Sequence, residues 1–248
     1  AGQWAHNYPD QPEIHGGLGP GYGEEAYPNM SRMDWAIELW NWFEYYLKGN
    51  GEEPAAHAQM QTNDGQWHVE QTWPPEDMEW EMFDVNSWES TGGSTVSATS
   101  SATFTSPPLE QDTHIQGMPT FHVKASTGLC NGGQLFVTMN DATAGLRLGH
   151  ATMDVRYRAG GYESQVATPL SEYTMLMEFN PMDVRIPAGH SIELVISESG
   201  EDYLPSPCSA IGMTISQGEQ PLGLPITERG MNAEEWFNVP PWWETTES

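Results

Sequence analysis

Residues 172–199 read EYTMLMEFNPMDVRIPAGHSIELVISES. Two runs in this stretch, EYTMLMEFN and SIELVISES, alternate apolar and polar side chains, and Pro187-Ala188-Gly189 supplies a turn between them. Alternation with a period of two places every second side chain on one face, which is the pattern of a half-buried strand. The pattern recurs in AAHAQMQ (55–61), QWHVEQTW (66–73), TFHVKAS (120–126), GQLFVTMND (133–141), LGHATMDVRYRA (148–159) and AIGMTISQ (210–217). Turn residues punctuate these runs at Asn63-Asp64-Gly65, Asn131-Gly132-Gly133 and Ala159-Gly160-Gly161. About eight strands with such spacing read as an all-β sandwich or jelly roll. Residues 86–113 are rich in Ser and Thr and read as a long loop or irregular strand pair rather than core.

One segment has a different period. In NMSRMDWAIELWNWFEYYLKGNG (29–51), Trp35, Leu39, Trp42, Phe43 and Tyr46 recur at three- and four-residue steps. That spacing predicts a helix with a wide apolar stripe. Ile37, Trp40 and Leu47 broaden the stripe, so cover on more than one side is expected. Asn29 or Ser31 can cap its start, and Asp34 suits the positive end of the dipole. Lys48 sits at the negative end and Gly49 stops the helix. The sequon Asn29-Met30-Ser31 is read as capping rather than glycosylation.

The 248 residues carry 35 acidic side chains against 8 Lys and Arg, a net charge of −27. Like charge and the lack of a basic patch exclude nucleic acid and an anionic membrane as partners. The acidity is spread along the chain rather than gathered in one tail, and such self-repulsion is tolerated where salt screens over about 3 Å, as at 1 M. This reads as adaptation to a high-salt environment. No apolar run approaches the roughly 20 residues that span a bilayer. Cys130 and Cys208 are too few for a disulfide framework or a four-cysteine zinc site. They form one disulfide if the chain is exported or stay as two buried thiols, and the sequence leaves both open.

Reactive groups are few. The eight histidines, His6, His15, His57, His68, His114, His122, His150 and His190, lack metal-ligand spacing with a carboxylate partner, so no metal or cofactor is expected. His68, His122 and His150 read as strand-face residues. The glycine-rich loop 16–23, GGLGPGYG, lacks the spacing of a phosphate cradle. No G-x-S-x-G turn is present, so a complete hydrolase cannot be built from these residues. The end of one can. In α/β-hydrolases the triad runs Ser, acid, His, with the His on a late loop before a final helix, and His6 precedes the predicted helix in that way.

Four motifs in order make the resemblance specific: GQWAHNYPD (2–10), GPGYG (19–23), WNWFEYYLKGNGEEP (40–54) and DGQWHVEQTWPP (64–75). Together they resemble the X-Pro dipeptidyl-peptidase and cocaine-esterase group of serine hydrolases. Gly2, Trp4 and His6 match that group's G-x-W-x-H motif; Gln3 stands where many members have Pro. Trp42, Phe43, Tyr46, Leu47, Lys48 and Gly49 match the end of its last hydrolase helix, and Trp67, Glu70, Trp73 and Pro74 match the opening of its C-terminal jelly roll. LRLGHATMDVRYRAGG (146–161) and residues 169–199 resemble that domain's long strands around an I-P-A-G-H turn.

The resemblance covers Gly2 to about Ile226. It implies a mainly β chain, a galactose-binding-like jelly roll at 53–227, preceded at 1–52 by the last loop and helix of an α/β-hydrolase domain and followed by an acidic, Trp-rich tail at 228–248. It also implies that His6 is the general base, with the nucleophilic Ser and the triad carboxylate upstream; Asp10 is too close to serve. The substrate is then an X-Pro peptide or, alternatively, a small ester or acyl amide, with no cofactor and with a homo-oligomer formed through the jelly roll. Trp67, Trp73, Trp80 and Trp88 either stack on a sugar, as in a stand-alone carbohydrate-binding module, or seal the sandwich, and sealing is favoured.

Overall fold

The computed structural model describes residues 34–54, 58–63, 67–160, 162–200 and 203–227. His6, the caps Asn29 and Ser31, the 16–23 loop and the acidic tail lie outside the described residues. Two compact units divide the chain, one comprising residues 1–77, 183–185 and 229–248, the other 78–182 and 186–228.

In the first unit, helix α1 spans Asp34–Lys48. It ends as its sequence dictates. Gly49 takes φ +69, a conformation glycine adopts without steric cost, and its N–H reaches the Tyr45 carbonyl at 3.0 Å while Asn50 N–H reaches that of Glu44 at 2.9 Å. Lys48 pairs with Glu44 one turn back. Along the stripe, Trp40, Trp42 and Leu47 are 63%, 45% and 72% exposed, while the side chains of Trp35 and Ile37 lie outside the described residues. Trp42 packs along its own helix on Phe43 and Tyr46. A short antiparallel pair follows, β1 (Ala58–Gln61) with β2 (Trp67–Glu70).

The second unit is an antiparallel β-sandwich. Its strands are β3 (Glu79–Asp84), β4 (Glu89–Ser97), β5 (Ser100–Thr105), β6 (Thr113–Gly117), β7 (Thr120–Thr127), β8 (Gln134–Asp141), β9 (Leu146–Asp154), β10 (Glu172–Glu178), β12 (Ile192–Ser197), β13 (Met213–Ile215) and β14 (Pro221–Thr227), and β11 (Met182–Ile186) precedes β12. Strands β6, β14, β7, β13, β4, β5, β12, β8 and β9 are neighbours in that order, with β3 added on β14 and β10 on β7. The inner faces supply the core. Phe121, Val123 and Ala125 of β7, Met175 and Met177 of β10, Leu135, Val137 and Met139 of β8, and Ile192, Leu194 and Ile196 of β12 are all buried.

Strand β4 closes the sandwich. Its first half pairs β5 (Ser90↔Phe104), its second half pairs β13 (Met213↔Val96), and the register breaks between Gly92 and Ser97. Gly92 turns this corner at φ +82, where a Cβ would collide with the Ser101 carbonyl. Gly92→Ala is therefore expected to cost more than about 1 kcal/mol in urea denaturation, through both φ and the clash.

Two readings need correction here. Residues 86–113 hold the irregular strand pair, one of the two alternatives the sequence allows, as β4 with β5, but they are not outside the core: Trp88, Val96, Ala102 and Phe104 are buried. The Ser and Thr side chains that suggested a loop mostly face outward on the same strands. Further, the run 148–159 is strand only to Asp154, because the Asp154 carboxylate accepts the Arg156 N–H at 2.8 Å and caps a 3-10 turn at Val155–Tyr157.

Candidate functional site

Of the histidines, His6, His15 and His57 lie outside the described residues, as does the His68 side chain. His114 is buried on β6, and His122 is exposed on the outer face of β7. The other two are built into networks. His190 Nδ1 meets Asp141 Oδ2 at 2.7 Å, and Asp141 is only 2% exposed. The other Asp141 oxygen accepts the N–H groups of Thr143 and Ala144, both at 3.0 Å. The IPAGH turn is fixed further by Ala188 N–H to Asp112 Oδ1 and Gly189 N–H to the Leu109 carbonyl, both at 2.8 Å. The pair thus clamps the β8–β9 turn to the β11–β12 turn, a structural task. His190→Ala leaves a buried carboxylate oxygen unpaired and is expected to cost about 1–3 kcal/mol in chemical denaturation.

His150 Nε2 lies 3.0 Å from the Tyr203 hydroxyl, and both rings pack on Phe136 at 5.4 and 5.5 Å. Among the described residues no group of three His, Cys, Asp or Glu side chains could hold a metal ion. Nor is any helix among them long and apolar enough to cross a membrane.

The Trp67 side chain lies outside the described residues, and within the β unit Trp80 and Trp88 differ in exposure. Trp88 is 7% exposed in the core, Trp73 is half-buried in the first unit, and Trp80 stands 51% exposed on β3. Trp80 and Met82 flank Gly223 of β14, where a Cβ would sit 3.2 Å from each. Beside Met82 lies an open cavity of about 330 Å³ lined also by His122, Lys124, Thr174, Glu219 and Pro221. This lining suits a small polar ligand and holds no catalytic pair.

Sequence reasoning missed Glu198, directly after β12. The residue has no solvent exposure, and no hydrogen bond of ordinary geometry reaches either carboxylate oxygen, the Gln134 backbone N–H making only a weak approach. Burial pushes its pKa up to about 7, against a weaker downward pull from the Gln134 backbone. Gly133 lies beside it: a Cβ there would collide with the Met213 side chain and stand 3.6 Å from Glu198 Oε1. Because the folded state holds this proton more tightly than the unfolded chain, the stability it supports is complete below about pH 4.5. It is lost as pH rises to about 7, by at most about 1.4 kcal/mol per unit. Urea denaturation at fixed molar salt is expected to show this decline in the parent and a flatter profile in Glu198→Gln. Equal slopes would remove Glu198 as the cause.

Cys130 and Cys208, left open by the sequence, form a disulfide with Cα atoms 5.9 Å apart across 78 residues of chain.

An antiparallel sandwich with a cross-linked loop end and clamped turns defines a jelly-roll domain. Residues 79–220 match the family described as the X-Pro dipeptidyl-peptidase C-terminal non-catalytic domain, and the chain belongs to that family. No curated protein matches the sequence as a whole. Among solved structures, a CocE/NonD family hydrolase from Staphylococcus aureus superposes with a TM-score of 0.58 at 13% identity, over 79% of this chain and 46% of that one. An aminopeptidase from a marine sediment Thaumarchaeota archaeon gives 0.54 at 13% identity, over 84% and 44%. An alpha-amino acid ester hydrolase gives 0.53 at 14% identity, over 83% and 48%. At such identities the likeness is one of fold, and the chain spans about half the length of these structures.

Proposed function

We propose that this chain is the C-terminal part of a serine hydrolase, and that the whole enzyme is an X-Pro dipeptidyl-peptidase releasing N-terminal X-Pro dipeptides through an acyl-enzyme. His6 takes the proton of an upstream serine during attack and returns it to the leaving amine. The β unit takes no part in bond making; it packs beside the catalytic domain. The observation that carries this reading is the coupling of a domain of a non-catalytic family to a chain half as long as the hydrolases it superposes on. The exposed side chains of Trp40, Trp42 and Leu47 on α1 support it, since they call for a covering body. The spread acidity supports a high-salt setting.

The test is turnover by the complete protein, in molar salt, of a Gly-Pro anilide against a small acyl ester and an acyl amide. Release from the anilide is expected, and residues 1–248 alone are expected to be inert. Ester or acyl-amide turnover without anilide cleavage would replace the peptidase reading with that of an ester or acyl-amide hydrolase.

A second reading rests on Trp80, whose exposed ring on β3, the strand that also carries Met82 of the cavity, offers a face for stacking on a sugar. Calorimetric titration with oligosaccharides tests it; heat lost on Trp80→Ala would support it, and no heat with any sugar would end it.

A further inference from the structure

The outer face of β7 carries His122 and Lys124, both exposed and two residues apart, so their side chains point the same way. Thr174 of β10 stands opposite Lys124 in register. With Met82 of β3 and Pro221 of β14 these side chains line the open cavity of about 330 Å³, and Glu219, in the loop between β13 and β14, completes the lining.

That loop is pinned at both ends. The Ser216 N–H donates to the Lys124 carbonyl at 2.9 Å, so the loop starts on the strand that bears the lysine. Gln220 has no solvent exposure, and its side-chain amide donates back to the Ser216 carbonyl at 2.9 Å. Its own N–H reaches Asp84 Oδ1 at 3.2 Å, and its carbonyl accepts the Val85 N–H at 3.2 Å. The backbone of Glu219 is thus fixed at the cavity that Lys124 also lines. Neither the Lys124 ammonium nor the Glu219 carboxylate has an ion-pair partner among the described residues. Opposite charges that line one cavity without pairing are both available to a ligand.

We propose that this cavity binds a small zwitterion of the amino-acid or dipeptide type, its carboxylate on Lys124 and its ammonium on Glu219. Met82 and Pro221 lie against its hydrocarbon body, and the Thr174 hydroxyl and the His122 ring supply further hydrogen bonds. Charge decides the class. A plain anion meets Lys124 but also the Glu219 carboxylate and the field of a chain of net charge −27. A plain cation is drawn to carboxylates over the whole surface and gains nothing particular here. A zwitterion is neither repelled nor diverted, and it pairs with both side chains at once. Ligand pockets run from roughly 300 to 1,000 Å³, and this one lies at the lower end, which suits one or two residues rather than a longer peptide. The inference stands on the lining alone, independent of the substrate of the whole enzyme.

NMR titration of the 248-residue chain in molar salt with glycyl-leucine tests it, beside acetyl-leucine, which lacks the ammonium, leucinamide, which lacks the carboxylate, and glucose. Saturable shifts of the Lys124, Thr174 and Glu219 backbone amides with glycyl-leucine are expected, at an affinity about threefold or more above that for either capped analogue. Lys124→Gln and Glu219→Gln should each weaken binding by a similar factor. Both side chains are exposed, so the melting temperature should not move. Trp80→Ala should leave the binding intact, which separates this ligand from a stacked sugar. Absence of saturable shifts with glycyl-leucine, or shifts confined to other parts of the chain, would overturn the proposal. So would equal affinity for a capped analogue, binding indifferent to both charge variants, or glucose bound at these amides in place of the dipeptide.

Discussion

Replacing His6 by Ala in the complete enzyme is expected to lower kcat/KM by about 10⁴-fold or more, with binding of an X-Pro product little changed. The reason is chemical. A serine hydroxyl is a weak nucleophile until a base accepts its proton, and the same imidazolium must protonate the leaving amine, so one substitution removes help from both halves of the reaction. Residual turnover would come from substrate positioning and oxyanion stabilisation alone. The loss should be confined to kcat, because Ala at position 6 leaves the jelly roll and its core intact. Retention of near-parental turnover would take His6 out of the triad.

Reduction of the Cys130–Cys208 disulfide is expected to lower stability by about 4 kcal/mol, on the entropy of closing a loop across 78 residues. For a unit of this size that corresponds to a fall of about 8–16 °C in melting temperature. The bond joins the loop after β7 to the loop before β13, and Ser206 reinforces the second by accepting the Cys208 N–H at 3.1 Å. Scanning calorimetry in molar salt, with and without reductant, measures the shift, and Cys130→Ser with Cys208→Ser should reproduce it. A melting temperature unmoved by reduction would mean that loop packing alone holds this end together.

The strands easiest to read were those with one face in the core. In β7, β10 and β12 the alternation survives in sequence because the inner residues, such as Phe121 and Val123, must be apolar while His122 and Lys124 meet solvent. Strands β4 and β5 were obscured by their outward Ser and Thr and by the Gly92 corner, where two sheets share one strand. Strand β14 was obscured by Pro221 and Pro225, residues that argue against a strand unless partners are arranged around them. The end of α1 was legible because Lys48 and Gly49 act locally.

Long-range pairs were not legible. Asp141 and His190 are 49 positions apart, and nothing in either neighbourhood names the other. The separate fates of Trp80 and Trp88, one exposed and one buried, follow from strand register, which composition does not carry. Glu198 looks like any other carboxylate in an acidic chain until the fold buries it beside Gly133.

The central claim is that chemistry resides outside the β unit and that His6 serves a serine that precedes it. Labelling of the complete protein with a fluorophosphonate, mapped by peptide mass spectrometry, tests this most directly. The account predicts one labelled serine upstream of Ala1, with labelling slowed at least about a hundredfold in His6→Ala. A labelled serine within residues 79–220, or labelling indifferent to His6, would contradict it.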